Sequence, residues 1–140
     1  MGAGRLEGKI VIVTGGDTGI GAAVATCAAA AGAKVIVDYV GSADVADAFV
    51  EGLADSKGSV EAFEADVSKV DQVQALVAEA VRKYGRLDVL VNNAGIETRH
   101  SLLETTEADY DKVLAVDLKG AFFAAQAAAK QFVAQGGGGV

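Results

Sequence analysis

Apolar and polar positions along this chain alternate between two periods. Lys9-Ile10-Val11-Ile12-Val13-Thr14 is a β-branched run, short enough for a strand buried on both faces. Glycines follow, and then an Ala-rich stretch from Gly21 to Ala31 that favours helix, which Gly32 stops. Lys34-Val35-Ile36-Val37-Asp38-Tyr39 predicts a second buried strand. From Ser42 to Lys57 the period becomes helical, with Val45, Phe49 and Leu53 forming one apolar stripe before Gly58. Ser59 to Val67 predicts a third strand. Ser68-Lys69-Val70-Asp71 resembles a capping box, with Asp in place of the usual Glu. The helix behind it puts Val70, Val73, Leu76, Val77, Ala80, Val81 and Tyr84 on one face, and Gly85 closes it. Leu87 to Asn92 predicts a fourth strand, and Thr106-Glu107-Ala108-Asp109 opens a long helix to Ala134. Four glycines, Gly136 to Gly139, come after it.

Buried strands that alternate with helices imply parallel pairing, right-handed crossovers and helices on both faces. The expected fold class is therefore α/β, a doubly wound parallel sheet. With 140 residues, the chain suits one domain and no more.

Composition narrows the function. A formal charge of −7 argues against a nucleic-acid partner, because such modules carry a basic face. No apolar run approaches the ~20 residues of a membrane span. The first residues, Met1 to Gly8, lack the apolar stretch of a signal peptide. Leu6 stands where a myristoylation signal wants Ser or Thr. The expectation is a cytoplasmic protein that engages neither membrane nor nucleic acid. Cys27 is the one cysteine, so neither a disulfide framework nor a metal-ligand spacing exists, and its Ala and Thr neighbours suggest a small packing residue. His100, the one histidine, reads as a surface or loop residue.

Candidate chemistry gathers at the strand ends. The stretch TGGDTGIG, Thr14 to Gly21, leaves a predicted buried strand and opens a predicted helix. In that context glycines build a phosphate site. Gly15 permits a tight turn, Gly19 lets the backbone approach a pyrophosphate, and Gly21 lets helix and strand pack closely. The helix N-terminus offers free N–H groups and a positive dipole end. Asp17, Thr18 and Ile20 share the loop as candidate cofactor contacts. The spacing Gly-x-x-x-Gly-x-Gly lacks the Lys-Ser/Thr of a P-loop.

Asp38 ends the second strand, where an acidic side chain accepts hydrogen bonds from an adenosine ribose. Its neighbour Tyr39 is a second candidate for that place. An acid there repels a 2′-phosphate, and no Arg or Lys lies at positions 39–42 or in the glycine loop. This favours NAD over NADP. Asp66 and Val67, and Asn93-Ala94-Gly95, follow the third and fourth strands, so four strand ends converge on one crevice. Asp66 is placed to accept from an adenine amino group, and Asn93-Ala94-Gly95 to line the ribose and nicotinamide side.

Together TGGDTGIG, ADV, NNAG and VDLKGAFF resemble the N-terminal half of a short-chain dehydrogenase/reductase, from Leu6 to Val140. VNNAGIE and the helix after it are similar to glucose 1-dehydrogenases within that family, and also to acyl-carrier-protein reductases. The resemblance implies a Rossmann-type fold, NAD or NADP as hydride carrier, and interconversion of a small-molecule alcohol and carbonyl, with a sugar such as glucose among the candidates. It also implies a homo-oligomer built through the Thr106–Ala134 helix. The family carries Asn, implied to hold a water of the proton relay, where this chain has Asp117. An ionised Asp117 adds negative charge and cannot donate, so it is a candidate catalytic residue or simply a helix residue.

The family further implies a Ser and a Tyr-x-x-x-Lys pair, the Lys lowering the tyrosine pKa for acid–base work. Here Tyr39 is followed four on by Ala43, Tyr84 by Asp88 and Tyr110 by Leu114. The expectation is a Rossmann domain truncated after about four strands, with Val140 where a fifth would begin. The fourth strand would leave an open edge prone to self-association. Cofactor binding would survive without hydride transfer. A non-catalytic dinucleotide-binding module is the alternative, and an interaction protein that keeps the fold without the cofactor is a third reading.

Overall fold

The computed structural model describes residues 4–140, so the leader reading of Met1 to Ala3 lies outside the described residues. Strands β1 (Ile10–Val13), β2 (Lys34–Tyr39), β3 (Ser59–Glu64) and β4 (Val89–Val91) form one parallel sheet in the order β3-β2-β1-β4. Ile12 lies between Ile36 on β2 and Leu90 on β4. Helices α1 (Gly19–Ala30), α2 (Ala43–Glu51) and α3 (Val70–Tyr84) connect the strands. After β4 come α4 (Glu107–Leu114), a π-helical segment Ala115–Gly120, and α5 (Ala121–Gln135).

The β-branched runs sort by period two, although every position in them is apolar. Ile10, Ile12 and Ile36 face α3 and α5, where they meet Leu76, Val77, Ala80 and Ala128. Val11, Val13, Val35 and Val37 face α1 and α2. There the short Ala25, Ala28 and Ala29 side chains bring α1 close to the sheet. Helices therefore cover both faces, as a parallel sheet requires. The fold is the expected doubly wound, Rossmann-type arrangement.

Several boundaries differ from expectation. α1 begins two residues early, at Gly19, and β3 stops at Glu64, which leaves Asp66 and Val67 in a connection. β4 is confined to Val89–Val91. α2 ends at Glu51, because Gly52 begins a series of tight turns in which Leu53 and Ala54 donate to Val50 and Glu51. Its inward stripe is the buried Ala46 with the partly buried Phe49 and Val50, continued by Leu53 in the turns, while Val45 is exposed.

No capping box forms at Ser68–Asp71. Ser68 instead gives its N–H to Asp66 Oδ1 at 2.9 Å, and Lys69 is the N-cap, without a side-chain bond. The capping box lies at α4, where Asp109 N–H donates to Thr106 Oγ1 at 3.2 Å and Thr106 N–H to Asp109 Oδ2 at 3.0 Å. Cys27 is exposed, not packed, because the helical period turns positions 25, 28 and 29 to the sheet and 27 away from it. His100 is exposed, 3.0 Å from Asp109 through Nδ1.

The long helix expected over 106–134 is broken by the π-helical segment. Two contacts fit this local widening. The Asp117 carboxylate takes the Ile96 N–H at 2.8 Å. Gly120 lies so close to the Val67 carbonyl that a Cβ there would sit 2.9 Å from its oxygen. The Val140 N–H donates to the Asp88 carbonyl at 3.0 Å, and the Val140 carbonyl accepts from Leu90 at 2.8 Å. The outer edge of β4 is thus partly paired, in place of the wholly open edge expected. Among the described residues no helix is long and apolar enough to cross a membrane.

Candidate dinucleotide site

Thr14 is the hinge on which the glycine loop is built. It is buried, its N–H donates to the Val91 carbonyl at 3.0 Å, and its Oγ1 accepts the N–H groups of Asn93 and Ala94, each at 3.0 Å. The Asn93 side-chain amide returns to the loop, donating to the carbonyls of Thr14 and Gly15 at 2.9 and 3.0 Å. The ends of β1 and β4 are thereby tied into one rim.

Two glycines of the loop adopt the left-handed backbone that favours glycine, Gly15 at φ +58° and Gly19 at φ +54°. Nothing lies within 4 Å of a Cβ built on Gly19, so the loop keeps open space at that position. Gly21 answers a different need. A Cβ there would stand 2.2 Å from the Gly15 carbonyl oxygen and 2.5 Å from Asn93 Nδ2. α1 starts directly after Thr18, whose side chain makes no capping bond. Its first amides are left for an anion at the positive end of the helix.

Beside this loop lies a cavity of about 580 Å³. Of the residues expected from sequence, Gly15, Asp17, Thr18, Asp38, Asp66, Val67, Ala94 and Gly95 line it. Gly21 and Asn93 act beneath the loop, as close-packing element and as brace. Ile20 is exposed beside Cys27 in a separate apolar groove. Asp117 ties the π-helical segment to Ile96, which lines the cavity. Tyr39, Val40, Ser68, Lys112, Ala115 and Val116 complete the wall. Lys112 is its one basic lining residue, and sequence reading missed it, since a Lys on a polar helix looks like any solvated position.

The acids differ in state. The Ser68 hydroxyl beside Asp66, helped by the Ser68 N–H, holds its carboxyl below the usual range. Asp38 is only 1% exposed, and its Oδ1 accepts the Gly15 N–H at 2.5 Å. Burial, which outweighs that hydrogen bond, pushes its carboxyl up to about 7. Asp38 is thus enclosed under the loop, while Tyr39 beside it is half-buried at the cavity wall.

The residues present fit a bound dinucleotide: a glycine loop with room at Gly19, uncapped helix amides, and a cavity running from β2 to β4. The crevice lies at the carboxyl ends of parallel strands, where open α/β sheets take their ligands. The chain belongs to the short-chain dehydrogenase family, whose model matches residues 9–140. An uncharacterised oxidoreductase of Methylorubrum extorquens is 45% identical over 126 residues, 90% of this chain and 51% of that protein. The 2-dehydro-3-deoxy-D-gluconate 5-dehydrogenase of Escherichia coli is 39% identical, over 99% of this chain and 54% of its own length. The crystal structure of a short-chain type dehydrogenase/reductase from Mycobacterium marinum superposes with a TM-score of 0.90 at 33% identity, covering 98% of this chain and 55% of that one. The chain spans about half the length of the curated relatives it matches.

Proposed function

We propose that residues 1–140 are the dinucleotide-binding domain of an oxidoreductase that moves hydride between a nicotinamide cofactor and a small-molecule alcohol or carbonyl. The observation that carries this reading is the loop from Gly15 to Gly21, open at Gly19 and leading straight into the uncapped start of α1. The diphosphate would rest on those amides. The adenosine would lie along Tyr39, Asp66 and Val67, with Asp38 enclosed beneath the loop instead of reaching the ribose, and the nicotinamide side along Ala94 and Gly95. The cofactor would carry the hydride, given up or taken according to the direction of reaction, and this chain would bind and orient the cofactor.

NAD is the favoured carrier. Asp17 and Asp66 crowd the adenosine side, while the basic lining residue, Lys112, stands on α4. A sugar or sugar acid is the favoured substrate class, in keeping with the gluconate-type dehydrogenase among the relatives. Hydride transfer would also need the Ser and Tyr-x-x-x-Lys of the family pattern, so these 140 residues alone would bind cofactor without turnover. Asp117 would act by holding the Ile96 backbone beside the nicotinamide end, not as a proton donor. An apolar groove of about 650 Å³ on α4, the π-helical segment and α5, lined by Leu114, Leu118, Phe122 and Phe123, supports a homo-oligomer through that face.

The test is a fluorescence titration with NADH, repeated with NADPH. Enhancement at micromolar NADH and weaker binding of NADPH are expected. Absence of NADH binding at millimolar concentration would sink the reading.

A further inference from the structure

Asp38 holds two successive amides of the glycine loop from below. Its backbone carbonyl accepts the Gly16 N–H at 3.1 Å, and its carboxyl accepts the Gly15 N–H at 2.5 Å. The residue is 1% exposed, yet it sits at the inner wall of the dinucleotide cavity. The charged groups that act on it are both acids, Asp17 from the glycine loop and Asp66 from the connection after β3. Tyr39 adjoins it on its own strand, and Lys112 faces the same cavity from α4. A diphosphate lodged on this loop would add further negative charge above a carboxyl that is already poorly solvated.

We infer that Asp38 is a positioning residue whose carboxyl is neutral in the dinucleotide-bound form, so that binding at alkaline pH takes up a proton from solvent. The inference rests on the dinucleotide reading of the cavity. The step is balanced: the carboxylate gains a proton on one oxygen, and no other bond is made or broken. The second oxygen still accepts the Gly15 N–H, so the loop keeps its anchor. Before any ligand arrives, burial, with the Asp17 and Asp66 charges adding to it, brings the carboxyl to about 7. An incoming anion acts in the same direction.

The experiment measures NADH affinity of the chain from pH 6 to pH 8.5, for the native sequence and Asp38→Asn. Asn keeps the acceptor oxygen and carries no charge. Native affinity is expected to fall roughly five- to tenfold between pH 6 and pH 8, with Asp38→Asn flat over that range. A flat native profile, or an equal slope in Asp38→Asn, overturns the inference. A ligand-free readout separates it from the dinucleotide reading. The Gly15 amide nitrogen resonance is expected to titrate with a midpoint near 7 in the native chain and not in Asp38→Asn. If NADH fails to bind while that titration is present, the dinucleotide reading falls and takes the proton uptake with it. If the titration is absent, the Asp38 inference fails by itself. Should Asp38→Asn not fold, Asp17→Asn must move the Gly15 midpoint to lower pH, and an unmoved midpoint overturns the inference.

Discussion

Asn93 donates twice to Thr14, once from its backbone and once from its side chain. The Asn93 N–H donates to Thr14 Oγ1 at 3.0 Å, and the Asn93 side-chain amide donates to the Thr14 carbonyl at 2.9 Å. The two residues are 79 apart in sequence and belong to the ends of β1 and β4. Their pairing ties the strand that carries the glycine loop to the strand that leads into Ala94 and Gly95.

Asn93→Ala would leave the Thr14 and Gly15 carbonyls without that donor. The expected cost is about 1–3 kcal/mol of stability, read by urea unfolding. Asn93→Asp tests the same point differently, because it keeps the shape and replaces the donor by an acceptor. It should lose at least as much, and NADH affinity should fall in both variants. Stability unchanged by either substitution would contradict the bracing role.

Gly19 and Gly21 should respond to alanine with a different balance of binding and stability. Gly19→Ala has open space but a left-handed backbone, so its cost is about 1–2 kcal/mol of conformational strain. The added methyl group enters the cradle, and NADH binding should weaken by far more than folding does. Gly21→Ala would drive a Cβ to 2.2 Å from the Gly15 carbonyl, so the loop itself must move. A loss of about 1–3 kcal/mol is expected, with binding and stability falling together. Thermal unfolding measured beside NADH titration separates the two. Equal effects on both quantities in both variants would show that the loop does not approach the ligand at Gly19.

Asp38 also makes folding stability depend on pH. Its carboxyl is raised from 3.8 to about 7, chiefly by burial. The folded state therefore binds a proton that the unfolded chain has released, across the window from about 4 to 7. Stability from this group is fully present below pH 4, declines as pH rises to 7, and is flat above. Asp38→Asn removes the ionisation and should raise stability at pH 8 by on the order of 2–4 kcal/mol, with little change at pH 4. Chemical denaturation at the two pH values checks this. A variant destabilised equally at both would mean that the carboxyl is charged without penalty where it lies.

The parts legible from sequence were those with strict local demands. A β-branched run such as Ile10–Val13 between turn residues has few alternatives to a buried strand. The glycines at 15, 19 and 21 announced the tight connection from β1 to α1, because a strand precedes them and a helix follows. Less was visible where tertiary contacts decide. Asp38 was found at the right strand end, but a strand buried on both faces gives no period that says whether its carboxyl points to ribose or to the loop. Asn93 was expected as a lining residue and serves beneath the loop, since its partner lies 79 positions away. The π-helical segment was invisible, because a change of winding over Ala115–Gly120 leaves the helical pattern on each side intact. Asp117 and Gly120 acquire their contacts, with Ile96 and Val67, only in the folded chain.

Phe122 and Leu118 bear on the assembly. Both stand out from the helical layer, 61% and 64% exposed, and both line the apolar groove on α4 and α5. Large apolar side chains gathered in one groove are the usual sign of a contact surface, whereas scattered ones are not. If this face joins two copies, Phe122→Glu places a charge against the same residue of its neighbour and should convert the oligomer to monomer. Phe122 packs its ring edge-on to Phe123 at 5.2 Å but is mostly in solvent, so the monomer should unfold within about 0.5 kcal/mol of the native chain. Sedimentation velocity at micromolar concentration gives the mass, and Phe122→Leu, which keeps the apolar contact, should remain associated. A native chain that sediments as a monomer, or a Phe122→Glu variant that still associates, would move the interface elsewhere.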